Sequence, residues 1–146
     1  MSISLILVPI AIGAVAKAAA AHSSPDAATC TVSTRLRDRR LLALALADTG
    51  GRVTDTGPDA IDVEWERLAA QLRRDTDGIW QAHFTGTTDE QECVASIMRV
   101  DTAYGRRVQA EVLNRVRERA PEAGMTLVSE TANTDASVTM VLEVNR

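Results

Sequence analysis

The chain has 146 residues, 45% of them hydrophobic, 25% charged and 3% aromatic, with a net charge of −4. That length supplies the core of one ordinary domain, and the composition excludes a disordered chain. The acidic balance argues against a nucleic-acid backbone as the main partner, because phosphate neutralisation supplies most of such binding.

The first distinctive stretch, residues 3–16, carries no charge and is followed by Lys17 and then Ala18 to Ala21. As a helix, residues 3–16 would cover about 21 Å of a hydrocarbon core of about 30 Å, and extension to Ala21 would reach about 28 Å with Lys17 snorkelling. All the basic side chains follow this run, so the positive-inside rule places the rest of the chain on the cytoplasmic side of a membrane. The reading is an apolar N-terminal helix or membrane anchor over residues 1–21. Ile3, Leu5, Ile6, Leu7, Ile10 and Ile12 are its membrane- or partner-helix-facing side chains. Two alternatives stay open: a signal peptide cleaved near Ala19 to Ala21 and followed by export, and a protein-packing helix of a soluble cytoplasmic chain. Residues 22–28 read as a linker, and residues 29–146 as an α+β domain.

From Thr29 the pattern alternates, which predicts a strand, and Asp38 stands where it can cap a following helix carrying Leu41, Leu42, Leu44, Ala45 and Leu46 up to Gly50-Gly51. Residues 52–56 and 60–65 predict two short strands around Gly57-Pro58-Asp59. Between residues 68–74 and 79–85, Asp75-Thr76-Asp77-Gly78 predicts a hairpin. A three-residue loop with Gly78 left-handed pairs Leu72 with Ala82 and Ala70 with Phe84, gathering Ala70, Leu72, Trp80, Ala82 and Phe84 on one face. A two-residue loop would scatter them, so burial selects the longer one. Thr88 to Gln91 has capping-box spacing and opens a long helix, with Gly105 as a possible break and residues 121–124 as its stop. Residues 125–131 and 137–144 then form a last hairpin, with Val138, Met140, Leu142 and Val144 as its apolar face. The order β-α-β-β-β-β-α-β-β predicts a two-layer α+β fold, a mostly antiparallel sheet with helices on one face, preceded by the apolar N-terminal helix.

Several short stretches carry a resemblance: Thr34 to Leu42 through Leu46 to Gly50, the Asp77-Gly78 turn, Tyr104 within the long helix, Ala123 to Glu130, and Asp135 to Val144. Together they resemble an uncharacterised conserved small-protein family, a domain of unknown function, of cyanobacterial and red-algal plastid genomes. The similarity covers most of residues 29–144. The family has no assigned activity. Its bacterial relatives are often encoded near ATPases of the AAA class, so the resemblance implies such an ATPase as partner. The apolar N-terminus departs from the family's compact start.

No catalytic constellation and no metal or cofactor motif emerges. Two Asp-Thr-Gly triplets, at 48–50 and 55–57, have the residue type of aspartic proteases but the spacing of caps and turns, so a small aspartate-dependent hydrolase would require dimerisation to pair its carboxylates. Cys30 and Cys93 lack a partner at metal-ligand spacing, and sequence does not give their separation. Arg35, Arg37, Arg39 and Arg40 form a basic run at a helix start, where cations oppose the helix dipole by a few tenths of a kcal/mol each; an acidic partner, an anionic lipid surface or a phosphate could repay that cost, and a solvated strand end and helix start with acids nearby is the alternative. The leading expectation is a non-enzymatic interaction or adaptor module at the cytoplasmic membrane surface, partnered by an AAA-class ATPase. The aspartate hydrolase and a nucleic-acid or lipid binder built on the basic run are the alternatives, and oligomeric state is left open.

Overall fold

The computed structural model describes residues 2–7, 18–20, 29–86 and 89–146. In chain order the elements are β1 (Ser2–Leu7), β2 (Ala18–Ala20), β3 (Thr29–Ser33), α1 (Arg39–Asp48), β4 (Arg52–Gly57), β5 (Ala60–Glu64), β6 (Ala69–Arg74), β7 (Trp80–Thr85), α2 (Glu90–Arg119), β8 (Met125–Ala132) and β9 (Val138–Val144). The class is α+β, with two antiparallel sheets and two helices. From β3 onward the order is the expected one.

The chain divides into two compact units, Ala11–Tyr104 and Met1–Ile10 with Gly105–Arg146. The larger unit is built on a six-stranded sheet in the order β2-β3-β7-β6-β5-β4. Its register lines up Cys30, Phe84, Ala70 and Val63 in one cross-strand row and Val32, Ala82, Leu72 and Ile61 in the next. All eight are buried, and they join Leu42, Ala45 and Leu46 of α1 and Cys93, Ile97 and Val100 of α2 in one core cluster. Period-two alternation in the strands meets helical periodicity in α1 and the start of α2, so both helices cover the same sheet face. The β6–β7 hairpin has the three-residue loop. Asp75 N–H donates to the Ile79 carbonyl at 2.8 Å, the Asp75 carboxylate accepts from the Asp77 and Ile79 amides, and Gly78 has φ +79°. Trp80 and Phe84 are fully buried on the inner face, which settles their role as core.

The smaller unit is a three-stranded sheet, β1-β9-β8, with residues 105–119 of α2. Here the N-terminal expectation is corrected. Ser2–Leu7 is a strand, not the start of an apolar helix, and pairs antiparallel with β9, Ile3 opposite Leu142 and Leu5 opposite Met140. The cause is visible in the residues: Ser2 and Ser4 alternate with Ile3 and Leu5, a period of two that a β-strand uses and a helix does not. Ala18–Ala20, expected to extend that helix, pair instead with β3. The expected helix positions Ile10 and Ile12, the linker residues 22–28 and Thr88 of the capping box lie outside the described residues. No helix among the described residues is long and apolar enough to cross a membrane. The anchor reading therefore loses its support, because the backbone of residues 2–7 is committed to a sheet ladder.

At the start of α2 it is the Asp89 carboxylate that accepts from the Gln91 and Glu92 amides. Acidic residues in the first turn, Glu90 and Glu92, and basic ones in the last, Arg117 and Arg119, both complement the helix dipole. The helix runs through Gly105 without a break.

Candidate functional site

The smaller unit exposes apolar surface, part of which gathers at one groove. Among the described residues the exposed large apolar side chains are Met98 in the larger unit, and Ile3, Leu5, Val108, Val112, Val128 and Val144 in the smaller. Scattered singly, such residues are ordinary; gathered into one patch, they mark a contact surface. Ile3 and Leu5, 44% and 39% exposed, project from β1 beside Leu142 of β9 and Met125 of β8. Facing them are Val112 and Val116 of α2 and Ala120 just beyond its end. The spacing explains the arrangement. Leu113 and Ala120, seven apart, turn to the sheet and are buried, while Val108, Val112 and Val116, four apart, form a stripe displaced from that seam. The stripe leaves a groove of about 480 Å³ between helix and sheet, open to solvent and almost wholly apolar inside.

Two guanidinium groups stand at this groove, Arg115 and Arg119 of α2. Arg115 lies 3.5 Å from Glu111 one turn earlier, an exposed pair of the kind that contributes well under 1 kcal/mol and yields readily to a better partner. Arg117, between them in sequence, is engaged elsewhere. Its Nε donates to Glu130 of β8 at 3.0 Å, a forked pair that ties helix to sheet and holds the guanidinium charged.

Of the expected apolar contact residues, then, Ile3 and Leu5 line a groove, Ile6 and Leu7 continue β1 opposite Thr139 and Val138, and Ile10 and Ile12 lie outside the described residues. The helix side of the groove, with Arg115 and Arg119 at it, was not anticipated from the sequence. The signal was the repeat of valine every fourth residue at 108, 112 and 116.

The basic run of the larger unit is divided by the fold. Buried Thr34 and Leu36 alternate with exposed Arg35 and Arg37, so the strand periodicity of β3 continues to residue 37 and turns both arginines outward. Arg39 is captured: its guanidinium pairs with Asp55 and donates to the Gly57 carbonyl at 3.0 Å. Arg40 is exposed on the first turn of α1. The cap is Asp38, whose carboxylate accepts from the Leu41 amide at 2.9 Å, and whose own N–H donates to the Tyr104 hydroxyl at 3.1 Å.

The same contacts define the two Asp-Thr-Gly triplets. The Arg39 guanidinium and the Gly57 amide hold Asp55 below the usual carboxylate range. Asp55 contacts Arg39 at the first residue of α1, and Asp48 is its last, so the two carboxylates belong to opposite ends of a helix roughly 15 Å long. Thr49 closes α1 by donating to the Leu46 carbonyl at 2.7 Å and accepts from the Trp65 indole at 3.0 Å. Both triplets are built as cap and turn, and within the chain no shared-proton pair forms from them.

On the outer face of the larger sheet, His83 Nδ1 lies 3.1 Å from the Thr31 hydroxyl, and burial together with the nearby Arg73 charge holds its pKa below the ordinary imidazole value. No group of three or more His, Cys, Asp or Glu that could hold a metal ion occurs among the described residues. A second cleft, about 380 Å³, is lined by Trp65, Arg67 and Arg99 with Glu66 and Glu92, so its charges balance. Comparison with protein-family models, with characterised proteins and with solved structures returns no match.

Proposed function

We propose that the chain is a non-enzymatic interaction module, whose smaller unit receives an amphipathic segment of a protein partner bearing acidic residues beside its apolar face. One observation carries this reading: an open apolar groove of about 480 Å³ with Arg115 and Arg119 beside it. An apolar floor supplies the affinity, at roughly 25 cal/mol per Å² removed from water, and the two cations select the sign and orientation of what enters. Helix-in-groove and strand-in-groove recognition both take this form. The resemblance supplies the partner class, an ATPase of the AAA class, with the chain acting as its adaptor.

The test uses the full chain and an AAA-class ATPase from the same source. A complex in size-exclusion chromatography is expected, together with fluorescence of an apolar anionic dye on the free chain that the ATPase displaces. Val112→Glu, at a position already 36% exposed, should leave the melting temperature nearly unchanged while abolishing both signals. Arg115→Glu with Arg119→Glu should weaken the complex at least tenfold and flatten its dependence on salt. Dye binding without a complex would retain the groove and remove the ATPase. A complex indifferent to Val112→Glu would remove the groove.

A further inference from the structure

The chain contains two cysteines, whose separation the sequence leaves open. Cys30 sits in β3, on the inward row opposite Phe84, and Cys93 sits in the first turn of α2. Both are free, 2% and 0% exposed, and members of the same core cluster. Both side chains lie where β3 and the first turn of α2 meet in that core.

We propose that Cys30 and Cys93 are a disulfide site, closed when the chain folds in the presence of a small-molecule disulfide and left as a dithiol when it folds under reducing conditions. In the first step one cysteine, as its thiolate, attacks the oxidant, breaking its S–S bond, forming a mixed disulfide and expelling one small thiolate. In the second the other cysteine attacks the protein sulfur of that mixed disulfide, forming the Cys30–Cys93 bond and expelling a second small thiolate. The chain loses two electrons and two protons, and the oxidant is reduced to two thiols. The bond joins β3 to the start of α2 and closes a loop of roughly 60 residues, long enough for a large effect on the unfolded chain.

The surroundings also fix when this happens. Burial, and the neighbouring Cys30 thiol, push the Cys93 thiol up to about 12. Thiolate is the reactive form and Cys30 is shut away from solvent, so in the folded chain Cys93 is nearly inert, Cys30 is out of an oxidant's reach, and exchange belongs to the unfolded or partly opened chain. The pair therefore records the conditions of folding and keeps that record afterwards.

The experiment refolds the full chain from denaturant in oxidised plus reduced glutathione and, separately, in excess reductant. Expected are a monomer lighter by two hydrogens, a protease fragment linking the segments around Cys30 and Cys93, and a melting temperature higher by roughly 10 °C than that of the reduced form. Oxidant added to the already folded dithiol should react orders of magnitude more slowly than with the unfolded chain. A refolded monomer that keeps two free thiols overturns the proposal, as does a bond that lowers the melting temperature or forms only between chains. Cys30→Ala with Cys93→Ala should melt identically from both buffers, and a surviving difference would show that the pair is not its source. Should that variant not fold, the two forms of the native chain decide alone.

Discussion

Asp38 and Asp101 show how two carboxylates of one chain contribute with opposite sign. Asp38 is exposed, accepts the Leu41 amide and so satisfies one of the amides that every helix start leaves unpaired. It stands directly before Arg39 and Arg40, cations that the dipole of α1 disfavours, and the capture of Arg39 by Asp55 offsets part of that cost. Asp38→Ala should lose about 1 kcal/mol in denaturant unfolding, and Asp38→Asn much less. Asp101, on α2, is only 7% exposed, and burial alone raises its pKa above 3.8. A carboxylate whose pKa is raised on folding favours the folded state at pH below 3.8, and that contribution is lost as the pH rises through the folded midpoint. Asp101→Asn should therefore raise the melting temperature at pH 7, with the advantage shrinking toward zero as the pH falls to 3.8. A constant offset at every pH would mean that the charge is not the cause. The cap at Asp38 was legible in the sequence, and the cost at Asp101 was not, because the position of a carboxylate along a helix does not tell how dry its neighbourhood is.

Turns and ends of elements were the most legible features, and the reason is local chemistry. The β6–β7 register follows from Asp75 and Gly78 together with the need to bury Leu72, Ala82 and Phe84 on one face, and both constraints are written within about fifteen residues. At the end of α1, Gly50 takes φ +85°. The following Gly51 serves a different need. A Cβ there would stand 2.5 Å from Val63 Cγ2 and 2.9 Å from the Leu46 carbonyl oxygen, so helix and sheet approach through the space a side chain would fill. Gly51→Ala should cost about 1–3 kcal/mol by denaturant unfolding, since one of the two obstacles is backbone. Loss of less than a few tenths would show that β5 can shift away. Two sheet edges share a device that sequence did not show. The register slips near Thr56 in β4 and at Val128 in β8, and such bulges bend an edge strand and blunt its capacity to pair with another chain. A bulge depends on the partner strand's register, and so on residues far away in sequence.

At the scale of the molecule, the legible part was the interior of residues 29–144, and the misread part was the beginning. A short apolar run can serve either a helix or a strand, and the partner that decides between them, β9, lies some 130 positions downstream. The groove was hidden for the same reason, since its wall joins Ile3 and Leu5 of β1 to residues of α2, β8 and β9 far downstream. Hydrogen exchange tests the assignment directly. Amides of β1 and β9 that face each other should be protected together and released together. Protection of β9 that survives with β1 fully exchanged would break the sheet as described.

The pairing of Ile3 with Leu142 bears on how the chain is made. A ribosome delivers β1 first and β9 more than a hundred residues later, at roughly 5–20 residues per second, so for at least several seconds the apolar strand exists without its neighbour. The larger unit, which ends at Tyr104, is synthesised in full while β1 still waits. During that interval residues 2–7 are open to whatever binds nascent apolar segments, and chaperone occupancy there should end only when β9 emerges.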